Sequence, residues 1–249
     1  MLKTIADLHT HTVFSDGRLS PQEVLRIAAD KGYRVGLADH CGPGNFQLDS
    51  RDRFEKYLSA IQDLPVYRAV ELDLGREIPI SPEELKRCHY LIGGVHSVGT
   101  ADFFDPRITE IDLPLLLDEM LEIIGLQSQK YSFDILAHPG LLPCNFREQK
   151  DAITGGWRVK LVELALKCNL AIELSSRWLV PDLKLASMAK EAGLKFSLGS
   201  DGHGADKMCR LDYSLELAGK LELADRDLFW PLNGAIPWQT NPGSGHPSP

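Results

Sequence analysis

The chain of 249 residues contains no C-x-x-C pair, and its five cysteines, Cys41, Cys88, Cys144, Cys168 and Cys209, are odd in number and far apart. That excludes a disulfide framework and a paired-thiolate zinc knuckle. It fits a reducing cytoplasm, with the thiols acting as small buried apolar groups. No apolar run approaches the roughly 18 residues of a transmembrane helix. The start, Met1-Leu2-Lys3-Thr4-Ile5, leads into a polar motif with no apolar stretch of a secretory signal. A cytoplasmic protein without a membrane partner is expected. Positive charge is in deficit, with 27 Lys and Arg against 35 Asp and Glu and a formal net charge of −8. This argues against non-specific attraction to nucleic acid or anionic membrane. No G-x-G-x-x-G follows the first apolar segment, which argues against dinucleotide binding. No internal repeat and no charge block interrupts the chain.

What is present is an alternation. Short apolar runs at 3–8, 34–38, 66–72, 90–95, 133–137, 170–174 and 195–198 read as strands. Helical spacing lies between most of them. Ser20-Pro21-Gln22-Glu23 supplies a capping Ser, a Pro at the first helical position and an acidic first turn, opening a helix through Ala29. Ser81-Pro82-Glu83-Glu84 opens a shorter one. Further helices are expected over 113–124, stopping near Gly125, and over 158–167 and 183–192. One α/β domain over residues 1–240 is expected, followed by a disordered tail at 241–249, rich in Pro, Gly and Ser. The alternation alone does not separate a closed barrel from an open doubly wound sheet; the placement of polar residues favours the barrel.

The first strand runs into Asp7-Leu8-His9-Thr10-His11, with Asp16 just beyond. The second ends in Asp39-His40, the third carries Glu71, the fourth ends in His96, the fifth in His138, and the last in Ser200-Asp201-Gly202-His203. In a β/α barrel these ends converge on one face, where active sites form. Six of the eight histidines fall in this set; His89 opens a strand at the far end and reads as structural, and His246 lies in the tail. Residues two apart on a strand face the same side, so His9 and His11 can grip one ion, with Asp7 on that face as an acceptor fixing a histidine tautomer. Imidazole and carboxylate suit Zn²⁺, Mn²⁺ or Fe. Nine donors (His9, His11, Asp16, His40, Glu71, His96, His138, Asp201 and His203) are too many for one ion, so two to three divalent ions are expected. Three carboxylates against three divalent ions leave a site of about +3, an electrostatic trap for an anion such as phosphate.

Taken in order from Asp7 to His203, these motifs resemble the PHP (polymerase and histidinol phosphatase) superfamily. The motifs that carry the resemblance also include Ser15-Asp16-Gly17, Val95-His96-Ser97 and Ala137-His138-Pro139. The resemblance implies a distorted (β/α)7 TIM-like barrel with a trinuclear site. It implies that His9, His11, Glu71 and Asp201 hold one ion, that Glu71 bridges to a second held by His96 and His138, and that Asp16, His40 and His203 hold the third. Asp16 stands where some members carry His. The implied activity is metal-dependent hydrolysis of a phosphate monoester of a small molecule, histidinol-phosphatase-like, by a metal-bridging hydroxide, with Glu71, Asp201 and His203 in catalytic positions.

The sixth strand brings none of the family's ligands but leads into Ser175-Ser176-Arg177-Trp178. Arg177 is read either as a catalytic guanidinium forking onto phosphate or as a surface ion pair. Ser97 is read as a turn residue that can also touch phosphate. The Gly- and Pro-containing segment Cys41–Asp49 is a loop, either lid or substrate wall. Three rivals remain: a phosphodiesterase or 3'-5' exonuclease, against which stands the lack of a basic stripe with aromatics; a non-catalytic metal-binding module; and an amide-cleaving metallohydrolase barrel.

Overall fold

The computed structural model describes residues 2–231. The expected tail at 241–249, and the last part of the expected 1–240 domain, lie outside the described residues. Seven strands form one sheet, in the order β1 (Ala6–Asp7), β2 (Arg34–Cys41), β3 (Tyr67–Leu74), β4 (Tyr90–Val95), β7 (Ile135–Leu136), β8 (Ala171–Ser175) and β9 (Phe196–Gly199), with every pairing parallel. A short antiparallel hairpin, β5 (Ser97–Val98) and β6 (Ala101–Asp102), projects after β4. The sheet curls until its edges meet: Leu8 N–H donates to Leu198 O at 2.9 Å, and His11 N–H to Gly202 O at 3.0 Å. The result is a nearly closed, TIM-like barrel.

The helices pack outside. α1 (Pro21–Asp30) begins with the expected capping box, in which Ser20 and Glu23 satisfy each other's backbone N–H. α3 (Pro82–Leu85) repeats it with Ser81 and Glu84. α5 (Gly155–Cys168) and α6 (Leu183–Glu191) lie near the expected ranges. α4 (Leu113–Tyr131) passes through Gly125 instead of stopping there. A Cβ at Gly125 would meet Leu164 of α5 at 3.4 Å, so this glycine serves helix contact rather than termination. The stop comes at Ser132, in the left-handed region with φ 50°. Two helices go beyond those expected from the pattern: α2 (Arg51–Ile61), which buries Phe54, Tyr57, Leu58 and Ile61 on one face, and α7 (Asp212–Lys220).

Two apolar layers result. The larger lies between sheet and helices; the smaller fills the barrel with Leu8, Tyr67, Tyr90, Ile92 and several alanines. Tyr90 spans this interior and donates its hydroxyl to Leu8 O at 2.5 Å. The space for it exists because the opposing residue is Gly36: a Cβ there would lie 1.9 Å from the Tyr90 hydroxyl. All five cysteines are free thiols, with Cys41, Cys88 and Cys209 buried and Cys144 and Cys168 half-buried. His89 is structural as expected; Arg68 N–H donates to its Nδ1 at 3.0 Å, and burial lowers its pKa to about 4. Among the described residues no helix is long and apolar enough to cross a membrane.

Gly36→Ala is expected to destabilise the fold by about 1–3 kcal/mol through overpacking against Tyr90. A urea midpoint unchanged from wild type would contradict this account of the barrel interior.

Candidate metal centre

Register places the first donors. In the β2–β3 ladder His40 stands opposite Glu71, so both point to the same side of the sheet. Glu71, 1% exposed, is the hub. Its Oε2 lies 2.9 Å from His40 Nδ1, 3.2 Å from His9 Nε2 and 3.6 Å from His11 Nε2. Its Oε1 lies 3.1 Å from His138 Nε2 and 3.4 Å from His96 Nε2. Burial would push the Glu71 carboxyl up, but the imidazoles of His9, His96 and His40 outweigh it and hold it well below the usual range. The remaining donors adjoin this group. Asp201 Oδ1 lies 3.1 Å from His11 Nε2 and 3.3 Å from His203 Nδ1, and His203 Nε2 lies 3.0 Å from Asp16 Oδ1. All nine expected donors are thus brought together.

Three sets have donor atoms mutually within 4.8 Å: His11, Asp16, His40 and His203; His9, His11 and Glu71; and His40, Glu71 and His96. Shared members make them contiguous. His40 joins Glu71 and His96 as well as Asp16 and His203, a wider reach than the sequence assigned to it. The arrangement fits metal ions on its own chemistry. His9 Nε2, both ring nitrogens of His11, His40 Nδ1 and Glu71 Oε2 are buried, and although several of them lie close together none is aligned as a hydrogen bond, which is costly for polar groups unless an ion takes them. Burial, with His40 and His203 nearby, lowers the pKa of His11 to about 3, which keeps it in the neutral, ligating form. Two donors, His138 (φ 32°) and Asp201 (φ 47°), sit in the left-handed region, backbone strain of the kind held at functional sites. Gly94 makes the close packing possible, since a Cβ there would lie 2.2 Å from Glu71 Oε1.

The rings are aimed by acids behind them. Glu173 Oε1 takes His9 Nδ1–H at 2.7 Å, and its Oε2 accepts the His138 backbone N–H at 2.6 Å. Asp73 Oδ1 takes His96 Nδ1–H at 3.2 Å. Such partners fix the tautomer and free Nε2 for an ion. Here the structure corrects the sequence reading at Asp7 and extends it at the sixth strand. Asp7 does not orient a histidine ring; its carboxylate accepts Ser200 N–H at 2.9 Å, Ser200 Oγ–H at 2.5 Å and His9 N–H at 3.3 Å, tying the first strand to the last. The sixth strand, β8, does contribute, through Glu173. The available signal was a fully buried acid inside the apolar run Ala171-Ile172-Glu173-Leu174. Asp39, likewise buried, accepts from Thr12 N–H and Oγ–H and from Ser15 Oγ–H, fixing the turn that carries Asp16.

Arg177 reaches the site. Its Nη1 donates to Asp201 O at 3.0 Å, lies 3.3 Å from Asp201 Oδ1 and touches His203. It is exposed, and its ion pair is made with the buried Asp201 at the edge of the cluster. Trp178, which the sequence did not mark as functional, donates its indole N–H to Asp201 Oδ2 at 2.6 Å. Ser97 accepts from Arg76 Nε–H at 3.2 Å. Loop residues Pro43–Gln47 wall a cleft of about 360 Å³ whose floor includes Asp16, His40 and His96.

The PHP domain family model matches residues 7–176. An uncharacterized protein of Methanocaldococcus jannaschii is 25% identical over 232 residues, covering 89% of this chain and 92% of its own length. A probable phosphatase of Aliivibrio fischeri is 22% identical over 241 residues, covering 90% and 88%. The DNA polymerase/3'-5' exonuclease PolX of Bacillus subtilis is 24% identical over 220 residues, covering 81% of this chain but 35% of that protein. In fold, the crystal structure of a Listeria monocytogenes protein named as a candidate histidinol phosphatase superposes with a TM-score of 0.67 at 14% identity, covering 84% of this chain and 99% of that one. With the family model spanning the strands that deliver His9 through Glu173, the chain belongs to the PHP domain family.

Proposed function

We propose that this protein, a metal-dependent phosphoesterase at the level of its family, hydrolyses the phosphate monoester of a small molecule. The observation that carries the reading is the convergence of nine imidazole and carboxylate donors with Glu71 as their hub, several with buried ligand atoms that make no hydrogen bond. Two to three divalent ions, Zn, Mn or Fe, would be held by His9, His11, Glu71 and Asp201, by Glu71, His96 and His138, and by Asp16, His40 and His203. Bound there, they would polarise the phosphoryl oxygens and bring the pKa of the attacking water toward neutrality. The chain's own residues do the rest. Glu71, Asp201 and His203 take the catalytic roles in this reading because they are linked within the cluster, Asp201 lying 3.3 Å from His203 Nδ1 and 3.1 Å from His11 Nε2, which in turn lies 3.6 Å from Glu71. Glu173 and Asp73 hold His9 and His96 with Nε2 presented. Arg177, already fixed on Asp201, offers its guanidinium to a phosphate oxygen at the rim.

The probable phosphatases among the relatives, matched over most of both chains, support the phosphatase reading. The net charge of −8 does the same, because a single-strand channel calls for a basic groove. The similarity to PolX favours a second reading, exonuclease action on nucleotides or single-stranded DNA, and one experiment separates the two. Phosphate release is measured from L-histidinol phosphate and nucleoside monophosphates, and nucleotide release from a short single-stranded oligonucleotide, with Mn²⁺ or Zn²⁺ added. Metal-dependent release from a monoester is expected, with kcat/KM falling at least about 100-fold in His96→Ala. Cleavage of the oligonucleotide alone would move the protein to the nuclease reading, and no turnover on any substrate would sink both.

A second prediction concerns the acid that the sequence missed. Glu173→Gln keeps the volume but loses the charge behind His9, and metal affinity is expected to weaken by about 10- to 100-fold. Metal content after dialysis, with an unchanged circular dichroism spectrum, checks it; full retention would remove Glu173 from the site.

A further inference from the structure

A second cleft, of about 230 Å³, is lined by Arg177 and Trp178, and by Pro139, next to the donor His138. Its walls are largely apolar, with Leu141, Leu142 and Val180, and Arg147 lies at its edge. Arg147 differs from three other arginines around the site in its partners. Arg76 is paired with Asp73, Arg158 with Asp182 and Arg177 with Asp201. Arg147 has no carboxylate partner among the described residues, not even its neighbour Glu148 on the same cleft. Its Nε is buried without a hydrogen-bond acceptor. Rings hold it in place: its guanidinium carbon lies 4.5 Å from the centre of the Trp178 ring and 5.9 Å from that of Phe104. Arg177 also approaches the Trp178 ring, at 4.7 Å. Because the Trp178 indole N–H binds Asp201, the Arg147 guanidinium stands about one indole's width from the metal-site carboxylate. A part-desolvated, clamped guanidinium without an anion is unfavourable by itself and is set up to take one in a bidentate fork.

We propose that this cleft is a specificity subsite in which Arg147 binds a second anionic group of the substrate. The inference rests on the phosphomonoesterase reading above. It narrows the substrate to a phosphate ester whose alcohol portion is short, lies against the leucine wall and ends in a carboxylate or a further phosphate. Both groups present the same paired oxygens to a guanidinium, and matched ligands tell them apart.

The test is calorimetric binding of three non-hydrolysable ligands to the Mn²⁺-loaded protein: propylphosphonate, 3-phosphonopropionate and propane-1,3-bisphosphonate. One of the two doubly anionic ligands is expected to bind about tenfold more tightly than propylphosphonate, the gain of a charge-assisted hydrogen-bonded pair. Which one it is identifies the second group as carboxylate or phosphate. Arg147→Met, which keeps a side chain on Trp178, is expected to bring that ratio close to one, and Arg147→Lys to restore part of it. Equal binding of all three by wild type, or a preference that survives Arg147→Met, overturns the subsite while leaving the phosphoesterase reading intact. No binding of propylphosphonate, together with no phosphate release from any ester, overturns the phosphoesterase reading and the subsite with it.

Discussion

Five imidazoles converge on the carboxylate of Glu71, and most of what is specific in this molecule follows from keeping that acid charged in a place where water does not reach. A buried carboxylate is tolerated only when partners surround it. The partners here come from four segments distant in sequence, so the strands must hold their register for the cluster to exist. Each histidine then needs its own orientation, and Glu173 and Asp73 provide it from behind. Close packing around the hub excludes a side chain at Gly94, and at Gly199 a Cβ would lie 1.9 Å from Glu173 Oε1. Even the rim answers to this centre, because Arg177 and Trp178 are both fastened to Asp201.

The barrel divides its two tasks between its ends. One end is filled with apolar side chains around Tyr90 and owes its packing to small residues opposite. At the other, the carboxyl ends of the strands carry the polar groups, and loops add the cleft walls. Asp7 and Asp39 work between these zones. Both are buried acids whose hydrogen bonds join backbone segments rather than ligands, so the strand ends that carry His9 and Asp16 are fixed before any ion arrives. This explains how a protein of net charge −8 can offer an anion a site: its acids there are consumed by imidazoles and backbone N–H groups, and bound divalent ions would bring positive charge to the same spot.

The nine donors were legible in the sequence because their signal is local. A His or Asp directly after an apolar run marks a strand end, and a parallel β/α alternation gathers such ends on one face whatever the details of packing. The capping boxes at Ser20 and Ser81 were legible for the same reason, as each is complete within four residues. Gly125 misled because its role is not local: it makes room for Leu164 on another helix, and nothing in its own neighbourhood says so. Glu173 and Asp73 were passed over because an acid within an apolar strand carries no mark of which ring it faces. The pairing of Arg177 with Asp201 and the lack of an acid for Arg147 among the described residues were equally hidden, since both depend on which loops share a rim. The sequence by itself determined the kinds of donor and the face on which they meet. Only the tertiary structure decided which group supports which, because hydrogen-bond partners are chosen by distance in space between segments that the chain order keeps far apart.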